Sequence, residues 1–156
     1  MNASPRSAAV VVRRTIGASP EDLFDAWLDP EALAIWMRPG PVSSAVAKVE
    51  AREGGSYEIT MQGQSGPIVH KGVYLQIDRP KRLVFTWASV GTEMRDTLVT
   101  VDFLPASKRT EVIVTHEQLP ESAKPSHSIG WTHGLEHLDQ AFRQGLLNKK
   151  QLKETS

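Results

Sequence analysis

The stretch that most constrains the fold is the last long one, from about Pro125 to about Lys150. Its large apolar residues recur at steps of four, three, four and four, and they are Trp131, Leu135, Leu138, Phe142 and Leu146. This spacing predicts an amphipathic α-helix with one apolar face. Because the chain before it has mainly strand patterns, we expect the helix to lie across the open face of a curved antiparallel sheet. We expect a cavity wherever the helix does not cover that face completely.

The composition limits the classes of protein that the chain can belong to. A length of 156 residues predicts one domain over 1–156, with an ordered core at about 9–150. Eighteen Lys and Arg balance eighteen Asp and Glu, so we expect neither nucleic acid nor an anionic membrane as a partner. The sequence has no cysteine, which excludes disulfides and thiolate nucleophiles. Without a signal peptide or an apolar span, the predicted location is cytoplasmic.

The first third of the chain predicts one strand and two short helices. β-branched residues from Ala9 to Ile16 indicate a strand. Ser19 and Asp29 are each followed by a proline and a glutamate, which is the pattern of a helix N-cap with proline at the first helical position. The second helix is expected to run to about Trp36, because prolines follow it and cannot continue the hydrogen-bond ladder.

From Val42 onward, alternating apolar residues separated by turn residues predict about six strands in an antiparallel meander. The residues predicted on one face of the successive strands include Tyr57, Ile59, Met61, then Val69, Val73, Leu75, Ile77, then Phe85, Trp87, then Val99, Val101, and finally Val112, Val114, His116. The predicted order is therefore one strand, two helices, about six strands and one long helix.

Residues spread from about Val10 to Leu147 carry a family resemblance through their order and spacing. They include Arg14-Thr15-Ile16, Ser19-Pro20-Glu21, Phe24, Ala26, Trp27, Asp29-Pro30-Glu31, Leu33, Trp36, Glu50, Arg52, Gly54-Gly55, Gly72 to Ile77, Pro80, Leu83, Trp87, Thr110 to His116, Gly130-Trp131, Leu135 and Leu138. In these residues the chain resembles the START-like or SRPBCC superfamily, and within it the branch related to the activator of the heat-shock protein 90 ATPase.

The resemblance implies an α+β helix-grip fold. In that fold a curved seven-stranded antiparallel sheet wraps around a long C-terminal helix, and two short helices follow the first strand. The resemblance also implies an apolar cavity between sheet and helix, which receives lipids, sterols, polyketides or hormones in various relatives. A chaperone is the other partner that this resemblance implies.

The residues expected to line such a cavity are mostly large apolar or aromatic residues on faces predicted to point inward. They are Trp36, Tyr57, Ile59, Met61, Val73, Phe85, Trp87, Val99, Val101, His116, Trp131, Leu135 and Leu138. Side chains of this kind form walls for a small apolar or aromatic molecule, but they also fill cores. His116, Tyr57 and Arg14 are candidates for orienting a ligand through polar contacts.

Several charged or titratable residues have two interpretations. His133-Gly134-Leu135-Glu136-His137 matches a zinc-protease pattern formally, but we expect these histidines on the outer arc of the helix, and we predict no metal and no cofactor. Arg14 and Lys71 either pair with an acid inside or extend to the rim of the sheet.

Three functions remain open from the sequence. The preferred one is a module that binds a small hydrophobic ligand. The second is a cyclase- or hydrolase-like enzyme in which His116 moves a proton; we find no catalytic motif, so the sequence leaves enzymatic activity uncertain and favours a protein without it. The third is an interaction protein that regulates a chaperone through its surface.

Overall fold

A computed structural model of the protein describes residues 9–38, 44–63 and 66–147. In chain order the elements are β1 (Val10–Ile16), α1 (Pro20–Ala26), α2 (Pro30–Trp36), β2 (Ser44–Val49), β3 (Ser56–Gly63), β4 (Gly66–Asp78), β5 (Arg82–Trp87), β6 (Thr97–Ala106), β7 (Arg109–Glu117) and α3 (Lys124–Arg143), with single 3-10 turns at Val90–Thr92 and Glu121–Ala123. The strands form one seven-stranded sheet in the order β1-β7-β6-β5-β4-β3-β2, and every neighbouring pair is antiparallel. The predicted α+β architecture is confirmed.

The two short helices begin where the sequence predicts. The Ser19 side chain accepts a hydrogen bond from the backbone N–H of Asp22, and the Asp29 side chain accepts one from Glu31. Each cap satisfies a backbone N–H that has no partner within its helix. The indole Nε1 of Trp36 donates to the carbonyl oxygen of Ala26 at 2.9 Å, which joins α2 to the end of α1.

The long helix α3 ends at Arg143, earlier than the predicted end near Lys150. Gly145 has φ of 76°, and the next N–H, from Leu146, donates to the carbonyl oxygen of Ala141 at 2.9 Å. This left-handed glycine with a six-to-one hydrogen bond is a Schellman motif, which ends a helix. Leu146 therefore lies past the helix and is exposed, so its predicted place on the apolar face is wrong; residues 148–150 lie outside the described residues.

The predicted inward face of β4 is wrong over most of the strand. Val69, Val73 and Leu75 are exposed, and so is Lys71. The register explains the error, because Val73 is paired with Ser56, whose side chain lies on the outer face of β3. Lys71 therefore needs neither an acidic partner in the core nor a route to the rim.

The inner face of β4 is made by the other set of residues. Ile68 and His70 are half-buried, and Tyr74 is buried. A register shift between Tyr74 and Gln76 inserts one extra residue, as a β-bulge does. Beyond the bulge, Ile77 packs against the core. Residues at even spacing in the sequence therefore lie on the outer face before the bulge and on the inner face after it.

The other strands and α3 place their apolar residues as predicted. Trp131, Leu135 and Leu138 of α3 are buried against the sheet, and Phe142 packs beside them half-buried. No helix among the described residues has both the length and the apolar character that a membrane crossing requires.

Candidate functional site

The space beneath the middle of α3 is filled by side chains. Val99, Val101, Leu135 and Leu138 are at most 1% exposed. A void of about 10 Å³ lies between the two short helices and strands β3 to β5, and it is lined by Trp27, Leu33, Met37, Tyr57, Ile59, Tyr74, Phe85 and Trp87. That volume holds at most one water molecule. The predicted cavity therefore does not extend along the length of the helix.

A larger cavity of about 330 Å³ opens at the N-terminal half of α3. It lies between that half of the helix, the end of α2, strands β3 to β5 and the 3-10 turn after β5. Its lining residues are Met37, Arg38, Met61, Ile68, His70, Trp87, Ser89, Val90, Gly91, Ser126, His127, Gly130, Trp131 and Gly134. Apolar and aromatic side chains make most of this wall, which is the composition typical of small-molecule sites.

The cavity exists because one face of α3 has almost no side chains. Ser126, Gly130 and Gly134 follow each other at steps of four, so they lie above one another on the helix. A Cβ atom placed on Gly130 would have no neighbouring atom within 4 Å, whereas one on Gly134 would contact Trp36 at 3.7 Å. Gly130 therefore borders open space.

Of the residues predicted to line the cavity, the structure brings three together there: Met61, Trp87 and Trp131. The other predicted residues lie elsewhere. Those in the packed core or its small void are Trp36, Tyr57, Ile59, Phe85, Val99, Val101, His116, Leu135 and Leu138. Val73 faces outward, on the opposite side of the sheet.

His116 is completely buried, and both of its ring nitrogens are engaged. Its Nδ1 lies 3.0 Å from Nε1 of Trp131, and its Nε2 lies 2.7 Å from Oγ1 of Thr97. An indole N–H can only donate, so Nδ1 of His116 must accept. Thr97 uses its hydroxyl hydrogen on the carbonyl oxygen of Trp87, so it accepts from Nε2–H of His116.

This pattern fixes His116 as a neutral ring with its proton on Nε2. Burial, and after it the neighbouring His127 ring, lower the pKa of His116 to about 3. A ring with no free nitrogen cannot accept a proton from a ligand or donate one to it. The bonding therefore favours the interpretation of a satisfied core histidine over that of an acid–base group.

The other two residues expected to orient a ligand are engaged as well. The Tyr57 hydroxyl donates to the carbonyl oxygen of Thr86, and burial raises the pKa of Tyr57 well above its ordinary value. Arg14 Nε donates to a carboxylate oxygen of Asp139 at 2.9 Å. The Arg14 side chain is 37% exposed and Asp139 is buried, so Arg14 pairs with an acid while it extends toward the rim of the sheet.

Two histidines that the sequence analysis did not single out lie on the cavity wall. The Nδ1 atom of His70 is buried and has no hydrogen-bond partner within the described part of the chain. Burial lowers the pKa of His70 to about 4. Nδ1 of His127 lies 2.9 Å from the carbonyl oxygen of Ala123, so that nitrogen donates, and Nε2 is an acceptor in the neutral ring.

Arg38 is the permanently charged residue of this wall. Its Nε donates to the carbonyl oxygen of Ile35 at 2.9 Å. The nearby His137 has its pKa lowered, first by burial and then by the positive charge of Arg38. The arrangement thus sets a cation beside a cavity whose wall is mostly apolar and aromatic.

The zinc-protease pattern on α3 does not assemble a metal site in the described ranges. His133 and His137 are half-buried on α3. No group of three or more His, Cys, Asp or Glu residues among 9–38, 44–63 and 66–147 is placed to hold a metal ion.

One sequence signal could have located the cavity. The repeat Ser126, Gly130, Gly134 lies one position before His127 and Trp131, so a face without large side chains adjoins an aromatic face. His70 and Ile68 were missed because the inward face of β4 was assigned to the odd-numbered residues. Arg38 lies just after the end of α2, and the prolines after it indicate a helix end without indicating a site residue.

A curled seven-stranded antiparallel sheet with one long helix across its concave face defines the helix-grip class of START-like domains. Within that class, the chain belongs to the family described as activator of Hsp90 ATPase homolog 1-like protein, whose family model matches residues 17–143.

Solved structures with the same fold come from several organisms. A protein from Chromobacterium violaceum is 28% identical over 86% of this chain and 96% of its own, with a TM-score of 0.73. A Rhodobacter sphaeroides protein is 22% identical over 90% of this chain and 96% of its own, with a TM-score of 0.76. An HSP90 activator from Plasmodium falciparum is 22% identical over 89% and 97%, with a TM-score of 0.70. No curated protein matches the chain.

Proposed function

We propose that the protein binds a small apolar or aromatic molecule in the cavity at the N-terminal half of α3. The observation that carries this proposal is a cavity of about 330 Å³ bounded by the open helix face at Gly130 and by the rings of Trp87 and Trp131. Ligand sites range from about 300 to 1,000 Å³, so the volume suits a molecule of one or two rings. Flat indole rings are well matched to such a ligand.

The polar groups of the wall support the same proposal. An apolar site needs only a few polar atoms to fix the orientation of its ligand. His70 has a buried Nδ1 without a partner in the described ranges, and His127 in its neutral form has an acceptor nitrogen. These groups and Arg38 take the roles that the sequence analysis gave to His116, Tyr57 and Arg14.

The experiment compares Gly130→Phe with Gly130→Ala. The phenylalanine ring would occupy the cavity, whereas the alanine methyl group would take little of it, since nothing lies within 4 Å of that position. Native mass spectrometry of gently purified protein, together with thermal shifts in a panel of one- and two-ring aromatics, should detect binding to the original chain and to Gly130→Ala. Gly130→Phe should remain folded and lose that binding.

Two results would contradict this function. One is an absence of any retained molecule and of any thermal shift across the panel. The other is a thermal shift of equal size in Gly130→Phe, because a ligand that tolerates the ring binds elsewhere.

The second candidate function is regulation of a chaperone, and family membership favours it. A docking surface is available on the outer face of β2 to β4, where Val46, Val69 and Val73 are exposed beside the cross-strand row Lys48, Glu58 and Lys71. Apolar residues among charges are typical of protein interaction surfaces.

An ATPase assay of a heat-shock protein 90 chaperone tests this second candidate. The original chain should change the ATPase rate, and Val46→Glu combined with Val69→Glu should abolish the change while thermal stability stays the same. Gly130→Phe serves as the control, because it alters the cavity and leaves the outer face intact. An unchanged ATPase rate with the original chain would contradict a chaperone role.

The enzyme interpretation required His116 to transfer a proton to or from a ligand in the cavity. His116 has no free nitrogen, and it is not among the residues that line the cavity. We therefore do not propose a cyclase or hydrolase activity.

A further inference from the structure

Three side chains on the cavity wall can carry a charge, and all three are bases. They are Arg38, His70 and His127. Neither Asp nor Glu occurs among the described residues that line the cavity. Any net charge at the wall is therefore positive, and it is set within largely apolar surroundings.

The guanidinium of Arg38 has capacity for a partner that the described chain does not supply. Its Nε donates to Ile35, which leaves the two terminal nitrogens with their hydrogens. Within residues 9–38, 44–63 and 66–147, Arg38 forms no ion pair with an Asp or Glu, whereas Arg13, Arg14, Arg79, Arg82, Arg95 and Arg143 each do. Its ionisable neighbour His137 is a base.

We propose that the ligand is a small apolar monocarboxylate whose carboxylate pairs with Arg38 and whose ring system lies against Trp87 and Trp131. This inference rests on the proposed function and names its ligand class. A guanidinium matches a carboxylate in charge and in its two parallel hydrogen bonds. A single arginine at an apolar wall compensates one negative charge, so a dianionic phosphate suits the site less well.

Two probes of equal shape test the role of the charge. 2-Naphthoate carries a carboxylate, and 2-naphthamide replaces it with a neutral amide of the same size. At pH 7.5 isothermal titration should show that the original chain binds 2-naphthoate at least about tenfold more tightly, as expected for a charge-assisted hydrogen bond.

Variants assign that preference to a residue. Arg38→Gln should bring the two affinities within about threefold by weakening 2-naphthoate and leaving 2-naphthamide unchanged. Arg38→Lys keeps the charge and should retain part of the preference. Arg143→Gln removes an arginine at the far end of α3 and should leave both affinities unchanged. Thermal unfolding of each variant checks that it is folded.

The outcomes separate this inference from the proposed function. If the original chain binds both probes with equal affinity and Gly130→Phe binds neither, the carboxylate inference is overturned and the cavity function remains supported. A preference for 2-naphthoate that survives Arg38→Gln would also overturn it, because the anion would be recognised elsewhere. Binding of neither probe to the original chain would overturn the carboxylate inference, and it would overturn the cavity function as well if the aromatic panel also gives no thermal shift.

Discussion

The indole Nε1 of Trp131 donates to Nδ1 of His116 over 3.0 Å, and this hydrogen bond joins α3 to β7 inside the core. His116 continues the connection to Thr97 of β6, which in turn donates to the carbonyl oxygen of Trp87 in β5. The helix is thus attached to three adjacent strands through one chain of buried polar groups. Such a chain is stabilising only while every member has its partner.

The first prediction concerns Trp131. Trp131→Ala should reduce the free energy of unfolding by about 3 to 5 kcal/mol, because it removes a large buried aromatic side chain. Trp131→Phe retains most of the apolar contact but leaves Nδ1 of His116 unpaired, so it should cost about 1 to 3 kcal/mol. Urea denaturation measures both. A loss below about 1 kcal/mol for the alanine variant would mean that α3 is not held through this residue.

The second prediction is a loss of stability in mild acid. An unfolded histidine has a pKa of about 6.5, whereas burial lowers the pKa of His116 to about 3 in the folded protein. Between these values the unfolded chain binds the extra proton, so the free energy of unfolding falls as the pH falls. His116 alone should account for about 2 kcal/mol between pH 7.5 and pH 5.

A variant at the same position provides the control for this pH dependence. His70 adds to the effect in the same direction, because its pKa is lowered to about 4. His116→Gln is less stable at neutral pH but should show a smaller fall toward pH 5 than the original chain. Equal pH slopes in chemical denaturation would show that His116 is not kept neutral by the fold.

The third prediction concerns Asp139, whose side chain is 3% exposed and lies between Arg14 at 2.9 Å and Arg143 at 3.0 Å. Asp139→Asn should cost about 1 to 2 kcal/mol, a value below that for a fully buried pair because both arginines are partly in water. Arg143→Gln should cost less than about 0.5 kcal/mol, since that arginine is 75% exposed. Thermal and urea unfolding compare the two, and equal losses would contradict this account.

The fourth prediction contrasts two glycines. Gly130→Ala should raise the free energy of unfolding by about 0.5 to 1 kcal/mol, because alanine favours a helix and the added methyl group meets no atom within 4 Å. Gly72→Ala should lower it by about 1 to 3 kcal/mol or more, because its Cβ would lie 1.9 Å from the carbonyl oxygen of Thr86. Destabilisation by Gly130→Ala would show that this part of the helix face is not open.

The order of elements could be predicted from the sequence because each boundary has a local cause. Ser19 and Asp29 cap helices through their own side chains, and Trp131, Leu135 and Leu138 define the buried face of α3 by spacing alone. These signals depend on residues that are close together in the chain.

The candidate site was harder to predict because its position depends on long-range packing. The faces of β4 are set by its pairing with β3 and by the bulge near Gln76, so alternation in the sequence did not assign Val73 or His70 correctly. The cavity itself is a lack of side chains at Gly130 and Gly134, and apolar periodicity records only the residues that are present. Whether the ring nitrogens of His116 are free to contact a ligand depends on hydrogen bonds to Trp131 and Thr97, which are distant in sequence.

All four tryptophans of the chain belong to one connected set of rings. Trp27 lies 4.7 Å from Trp36 and 5.9 Å from Trp131 between ring centroids, and Trp131 lies 5.1 Å from Trp87. At such separations excitation absorbed by one indole passes readily to the others. A guest beside Trp87 or Trp131 would therefore quench or shift the emission of the whole group, which makes the unlabelled protein its own optical sensor for occupancy of the cavity.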